Sequence, residues 1–310
     1  MGNEKGNYDL LMGLDVNFNN EAVKAELNKW RDWYIGQTNV DGFRLDALKH
    51  ITPSFFNDWI EKLRKQRDES FMIVGEFWSA EVEVLMNYIQ TTNGRIQLFD
   101  VPLQHKFSKA STSGDSFDMR SLMNDTLTSR CPELSITFVE NHDTQPYQSL
   151  LSPVEPWFRP MAYAFILLRE QGIPCVFYPA VYKASYDAEK NGEKTPIVMW
   201  PVLGIEQLLF ARQHAAYGKQ RDFFISEHTI GWTREGTIDH PNSGLAVLMT
   251  NGSGGRHFLE MGSKHAGKQM TNLIGGFDEQ VKVDENGWAE FPVKDGALSV
   301  WVAEELLEAH

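Results

Sequence analysis

The 310-residue sequence has two cysteines, Cys131 and Cys175, far apart and in no CxxC or zinc-type spacing. That excludes a disulfide framework and reads as two ordinary thiols. No apolar run approaches the length of a membrane span. Residues 1–7 are polar and contain glycine, with no signal-peptide core. Gly6 stands where a myristoylation motif needs Ser or Thr. The lack of a targeting segment makes the cytoplasm the expected compartment. Basic charge is not in excess either: the formal net charge is −13, which argues against a nucleic-acid partner and leaves a neutral substrate compatible. There is no GxGxxG, no Walker sequence, no repeat and no low-complexity tract. What remains is an ordinary soluble composition, 42% hydrophobic and 23% charged, long enough for one large domain and a smaller one.

Residues 1–18 read as loop, with a short apolar patch at Leu10-Leu11-Met12. Asn19 or Asn20 is placed to cap a helix whose apolar stripe is Val23, Leu27, Trp30 and Tyr34. A second helix, capped by Thr52 or Ser54, buries Phe56, Trp59, Ile60 and Leu63 and turns Lys62, Arg64, Lys65 and Arg67 to solvent. Five apolar runs of β type are distributed along the chain: Val40–Leu45, Phe71–Gly75, Ile96–Phe99, Leu134–Val139 and Pro174–Tyr178. Helical segments lie between them, including Val82–Ile89 and about Pro160–Glu170. A loop of about twenty-five residues is expected after Tyr178. A further helix follows, using Ile205, Leu208, Leu209 and Arg212. From about residue 221 the texture changes to short alternating segments between turn residues such as Asn251-Gly252 and Gly275-Gly276, the pattern of a small antiparallel β domain.

The stretch Asp41-Gly42-Phe43-Arg44-Leu45-Asp46-Ala47-Leu48-Lys49-His50 carries the densest chemistry. An apolar strand here ends in charge, which is costly to bury unless paired. Alone it could be a strand running into a solvated loop. The pattern recurs, however: four of the five runs end in an acid, at Asp46, Glu76, Asp100 and Asp143. Strand–helix alternation at this pitch implies βαβ units and a parallel sheet. Functional residues at the carboxyl ends of several parallel strands are the mark of a (β/α)8 barrel. A doubly wound sheet is the competitor and lacks its Gly-rich turn here. The fold class expected is α/β: the C-terminal five βα units of a (β/α)8 barrel followed by a small antiparallel β domain. Residues 1–220 form the barrel portion and 221–310 a C-terminal β-sandwich.

Neighbouring carboxylates push their pKa values apart, so one stays ionised while another holds a proton. Glycoside hydrolysis needs that pair. Arg44 lies two residues before Asp46, hence on the same side of the strand, and keeps it ionised by pairing. His142 adds a donor for a sugar hydroxyl, and Phe77, Trp78 and Tyr178 offer faces for sugar stacking. Core packing is the alternative for each aromatic.

Asp41–His50, Gly75-Glu76-Phe77-Trp78 and Phe138-Val139-Glu140-Asn141-His142-Asp143-Thr144-Gln145 resemble three of the four signature regions of the α-amylase family, in the family's order. Val154-Glu155-Pro156-Trp157-Phe158-Arg159-Pro160 and Gly231-Trp232-Thr233-Arg234-Glu235-Gly236 resemble bacterial liquefying and cytoplasmic α-amylases, and Tyr178-Pro179 is closer to the cytoplasmic ones. The resemblance implies retaining endo-hydrolysis of α-1,4-glucosidic bonds in an α-glucan such as starch, glycogen or maltooligosaccharides. It implies Asp46 as nucleophile, Glu76 as acid/base and Asp143 as the third acid. It also implies substrate contacts from Arg44, Lys49, His50, His142 and Trp78. It further implies a structural calcium held by Asp9, Asp15 and the backbone oxygen of His50, hard oxygen ligands that suit the ion. Asn17 and Asn19 stand where related secreted enzymes carry acids for further metals.

Two departures accompany the resemblance. The first signature region, the first three strands and most of the inserted B domain have no counterpart. After Tyr178 the chain reads Pro179-Ala180-Val181-Tyr182-Lys183, where the family has Gly-Asp or Pro-Asp and later Tyr-Gly. The chain therefore carries three catalytic acids in an incomplete cleft, and little turnover by these 310 residues is expected. A non-catalytic glucan-binding or structural remnant is the alternative. An aldolase-type barrel using Lys49 as a Schiff-base amine is a further one.

Overall fold

A computed structural model describes residues 16–68, 70–190 and 192–309. The chain divides into two compact units, residues 1–102 with 125–136, and 103–124 with 137–310.

The first unit begins with helix α1 (Glu21–Thr38), whose first turn is capped by Asn20 accepting the Ala22 N–H at 2.9 Å. Its buried residues are Arg31 and Ile35, whereas Trp30 is 46% exposed. The expected stripe is thus rotated by about one residue. The reason is a polar anchor: Arg31 donates to the Trp59 carbonyl at 3.0 Å and to Asn28 at 2.9 Å, and its guanidinium lies over the Trp59 ring. Strand β1 (Gly42–Leu45) follows, then α2 (Pro53–Gln66), which buries Phe55, Phe56, Trp59, Ile60 and Leu63. Next come β2 (Met72–Gly75), α3 (Val82–Thr91) and β3 (Gln97–Phe99). Helix α4 (Val101–Ser113) leads out of this unit, α5 (Leu127–Arg130) returns, and β4 (Ser135–Phe138) starts here. β1 pairs β2, β2 pairs β3 and β3 pairs β4, all parallel. Leu48, Ile60, Leu63, Ile73, Leu85 and Leu98 form the core between sheet and helices.

In the second unit β4 ends, α6 (Arg159–Leu168) crosses over, and β5 (Ile173–Cys175) completes the sheet order β1-β2-β3-β4-β5. β5 stops short of Tyr178, which instead opens the short helix α7 (Tyr178–Val181) with Pro179 in its first turn. The expected long loop is a β hairpin, β6 (Ala184–Lys190) and β7 (Glu193–Met199), antiparallel with Lys190 opposite Glu193.

After α8 (Ile205–His214) the chain becomes antiparallel: β8 (Gln220–Phe224), β9 (Thr229–Arg234), β10 (Leu245–Thr250), β11 (Gly255–Glu260), β12 (Gln269–Ile274), β13 (Val281–Lys282), β14 (Trp288–Val293) and β15 (Leu298–Ala303). Six of these form one sheet in the order β13-β12-β15-β10-β9-β8, and β11 pairs β14. Strands β9, β10 and β15 are buried at every position. Both faces of this sheet are covered. Val247, Met249, Val300 and Val302 join the core of α6 and α8, while Ala246, Leu248 and Trp301 join Leu259 and Phe291 of the β11–β14 pair. That is why these strands read as continuous apolar runs and not as alternation. At the entry to the sheet, Gly218 has φ +78° and a Cβ there would collide with the Gly236 backbone, so no other residue fits.

Candidate active site

Asp46 follows the last residue of β1. Arg44, two positions earlier, points to the same side and its Nη2 lies 3.0 Å from Asp46 Oδ1. The Arg44 guanidinium sits 5.9 Å from the centre of the Phe99 ring, so β3 helps to aim it. Both members of this pair are well exposed, which leaves the Asp46 carboxylate reachable.

Glu76 follows the last residue of β2, the neighbouring parallel strand. Three hydrogen bonds join the two strand ends. The Glu76 N–H donates to the Leu45 carbonyl at 2.8 Å, and the Leu48 N–H donates to the Glu76 carbonyl at 2.9 Å. The Ala47 N–H donates to the carboxylate, Oε2, at 3.0 Å. Ala47 reaches this position with φ 50° and ψ 44°, a left-handed conformation that a side chain disfavours. Glycine suits position 75 just before the acid, because a Cβ there would collide with the buried Leu48 and Ile96 side chains. Burial raises the Glu76 pKa above its ordinary value. The Ala47 hydrogen bond opposes the rise, the negative charge of Asp46 adds to it, and Arg44 and Lys49 oppose it. One acid is therefore ion-paired and open to solvent, and its neighbour is half-buried and biased toward holding its proton.

Of the other expected residues of this unit, Lys49, His50, Phe77 and Trp78 are described and follow the two acids closely in the chain. Lys49 and His50 lie on the single turn of 3-10 helix Leu48–His50 that follows Ala47. Phe77 is buried and packs on Tyr88 at 4.8 Å between ring centres, so it is core and not a sugar platform. Trp78 is half-buried on the segment after Glu76. Asp9 and Asp15 lie outside the described residues. Asn17 accepts the Asn19 N–H at 3.0 Å in the turn before α1. Among the described residues no group of three His, Cys, Asp or Glu side chains could hold a metal ion.

Asp100, the acid at the end of β3, is fully buried. It accepts the N–H groups of Leu127 and Thr128 at 3.1 and 2.7 Å and the Thr128 hydroxyl at 2.6 Å. Its work is to hold the first turn of α5, where backbone donors lack helical partners.

Asp143 belongs to the second unit, beyond the end of β4. Its N–H and that of Thr144 donate to Asn141 Oδ1 at 3.0 and 2.9 Å, and the Asn141 N–H donates to Thr144 Oγ1 at 2.9 Å. This closed turn presents the Asp143 carboxylate to His142, whose Nε2 is 3.4 Å from Oδ2, and to the Ser149 hydroxyl, 3.3 Å from Oδ1. Tyr178 is 64% exposed and tilts against Tyr182 at 5.0 Å. Glu140, in the same strand end, had no role assigned from sequence. It is buried and paired with Arg159 at 2.6 Å. A signal was present: each charge sits against apolar neighbours, Val139 and Phe158, where only a partner makes it tolerable.

Residues 8–180 match the family model for the α-amylase catalytic domain, and residues 245–302 match that for the α-amylase C-terminal domain. The chain is 48% identical over 300 residues to an α-amylase of Geobacillus stearothermophilus and 43% identical over 302 residues to one of Bacillus licheniformis. It is 44% identical over 305 residues to the cytoplasmic α-amylase of Escherichia coli K12. These alignments take in 96%, 97% and 98% of this chain, but only 53%, 58% and 61% of the respective relatives. Among solved structures, an Anoxybacillus α-amylase superposes with a TM-score of 0.67 at 18% identity, covering 94% of this chain and 65% of that one. The α-amylase of Geobacillus thermoleovorans in complex with acarbose superposes with 0.67 at 17% identity, covering 95% and 67%. At that identity the superpositions speak to the fold, a (β/α)8 type with its C-terminal β sheet.

Proposed function

The chain belongs to the α-amylase family, and on that premise we propose that it carries the catalytic acids of a retaining endo-hydrolase of α-1,4-glucosidic bonds, acting on starch, glycogen or maltooligosaccharides. The observation that carries the reading is the contrast between Asp46 and Glu76. A nucleophile must be ionised and reachable, and Arg44 pairs with an exposed Asp46. A general acid must hold a proton near neutral pH, and burial raises the Glu76 pKa. In the first step Asp46 attacks the anomeric carbon while Glu76 gives its proton to the departing glycosidic oxygen. In the second step Glu76 takes a proton from water, which attacks the same carbon and frees Asp46. Asp143, steadied by the Asn141 turn and flanked by His142, takes the role of third acid on the sugar hydroxyls. Arg44 orients Asp46, and Lys49, His50 and Trp78 are assigned to the glucan.

The same family reading assigns residues 1–220 to the catalytic barrel with the tail of the inserted B domain, and 221–310 to the C-terminal domain. It assigns a structural calcium to Asp9, Asp15 and the His50 backbone oxygen, where the ion would brace the loops and take no part in bond breaking. Similarity to the cytoplasmic enzyme of E. coli supports a cytoplasmic location. Because the chain spans 53% to 61% of those relatives, turnover by these residues alone is expected to be low.

Replacing Glu76 by Gln tests the assignment. Release of reducing ends from maltoheptaose should fall by about 10²-fold or more relative to the unsubstituted chain. An aryl maltoside with a good leaving group should lose much less in its first step, since it needs little protonation. Equal losses on both substrates would remove Glu76 from the acid role. Maltooligosaccharide binding with no turnover in either protein would favour a non-catalytic glucan-binding role.

A further inference from the structure

We propose that the buried pair Glu140–Arg159 positions the strand end that presents Asp143, making Arg159 a positioning residue for the reaction although it touches no substrate; the reaction clause rests on the glucan-hydrolase reading, the positioning clause does not. Glu140 is 5% exposed and Arg159 8%. Two donors of one guanidinium converge on a single oxygen: Arg159 Nε and Nη2 reach Glu140 Oε1 at 3.1 and 2.6 Å. The Tyr163 hydroxyl, one turn along α6, donates to the same oxygen at 3.3 Å. The guanidinium's other arm, Nη1, donates to the Trp200 carbonyl at 3.0 Å, just past the end of β7. Arg159 thus ties together the end of β4, the start of α6 and the exit of the hairpin.

The clamp acts where the chemistry is. Only Asn141 and His142 separate Glu140 from Asp143, and both belong to the closed turn that Asn141 and Thr144 make. Beyond the turn, the Tyr186 hydroxyl of β6 donates to the Pro146 carbonyl at 2.7 Å. The segment 140–146 is therefore held at both ends, by Arg159 at its first residue and by the hairpin at its last. Desolvating two charges is costly, and apolar side chains of similar size often serve stability as well or better. What apolar contact cannot supply is direction. Converging charged donors fix where the Glu140 carboxylate lies, and with it the path of the backbone that leads to Asp143.

That difference gives the test. Three variants of this chain are compared with it: Arg159→Met, Arg159→Lys, and the double substitution Glu140→Leu with Arg159→Met. Each is followed by urea unfolding and by hydrogen exchange of peptides covering 139–146, 196–202 and, as a distant reference, 245–250. Arg159→Met leaves a buried carboxylate alone and should unfold at lower urea. The double variant should recover much of that loss. Its 139–146 and 196–202 peptides should still exchange about tenfold faster than in the unsubstituted chain, with 245–250 unchanged. Arg159→Lys keeps the charge without the converging donors. It should loosen the same two peptides, and it remains informative if the double variant does not fold. Unaltered exchange at 139–146 in whichever of these two folds would overturn the proposal and leave the pair a stability element only. No glucan enters this measurement, so its failure is distinct from failure of the hydrolase reading. In a reducing-end assay the loosened variants should lose kcat with KM within about twofold of the unsubstituted chain, because a shifted Asp143 harms the transition state more than binding.

Discussion

The Ala47 N–H donates to the Glu76 carboxylate at 3.0 Å from a left-handed residue, so the turn after one strand feeds the acid at the end of the next. A side chain in that conformation costs about 1–2 kcal/mol. Glycine removes that cost but loosens the unfolded chain by about 0.5–1 kcal/mol. Ala47→Gly should therefore unfold within about 1 kcal/mol of the unsubstituted chain. Ala47→Val should be destabilised by about 1–2 kcal/mol or more, since branching at Cβ aggravates the left-handed strain. Urea unfolding of both variants checks the ordering.

The raised pKa of Glu76 makes stability depend on pH with a definite sign. Burial lifts the folded-state pKa above the ordinary 4.5. Between the two values the folded state binds more protons than the unfolded one, so stability falls as pH rises through that window. Below 4.5 both states are protonated and the penalty vanishes. Glu76→Gln removes the titration and keeps an oxygen for the Ala47 N–H. The variant should be the more stable protein at pH 7, with the advantage gone at about pH 4. Unfolding midpoints at the two pH values decide it. An advantage that grew toward low pH would contradict the burial argument.

Asp100 and Asp46 look alike in the sequence, yet their substitutions should separate cleanly. Asp100→Ala strands the Leu127 and Thr128 donors in a buried site and should cost about 2–4 kcal/mol of stability. Asp46→Ala removes an exposed carboxylate and should leave the unfolding midpoint nearly unchanged while abolishing hydrolysis. Parallel unfolding and reducing-end assays make the comparison.

Arg44 is held by Asp46 and the Phe99 face. Arg44→Lys keeps the charge but not the planar group that lies over the ring, so it should restore little of the activity lost in Arg44→Ala. Circular dichroism should show both variants folded. Full recovery by lysine would mean that charge alone suffices.

Much of this was legible in the sequence because it depends on short-range periodicity. Two-residue spacing put Arg44 and Asp46 on one side of a strand, and strand–helix alternation at a regular pitch gave the parallel sheet. What the sequence did not disclose depends on partners far along the chain. Asp100 and Glu140 are acids in the same kind of position as Asp46 and Glu76. Partners brought in by folding, Leu127 and Thr128 for Asp100 and Arg159 and Tyr163 for Glu140, engage them in buried hydrogen bonds. In α1 apolar spacing points to Trp30, whereas the buried anchor is Arg31, a polar residue that periodicity does not count. The hairpin 184–199 stands where the sequence leads one to expect a loop, because the pairing of its two strands is set by residues up to fifteen positions apart.

On the proposed function, Asp46 forms a covalent bond to the sugar. A slow-deglycosylating fluorinated α-glucosyl fluoride should trap it even where turnover is low, because the adduct accumulates. After incubation, proteolysis and mass spectrometry, the glucosyl mass should appear on the peptide containing Asp46, and Asp46→Asn should abolish it. An adduct on Glu76 or Asp143, or none on any carboxylate while the chain still hydrolyses maltoheptaose, would rule out Asp46 as the nucleophile.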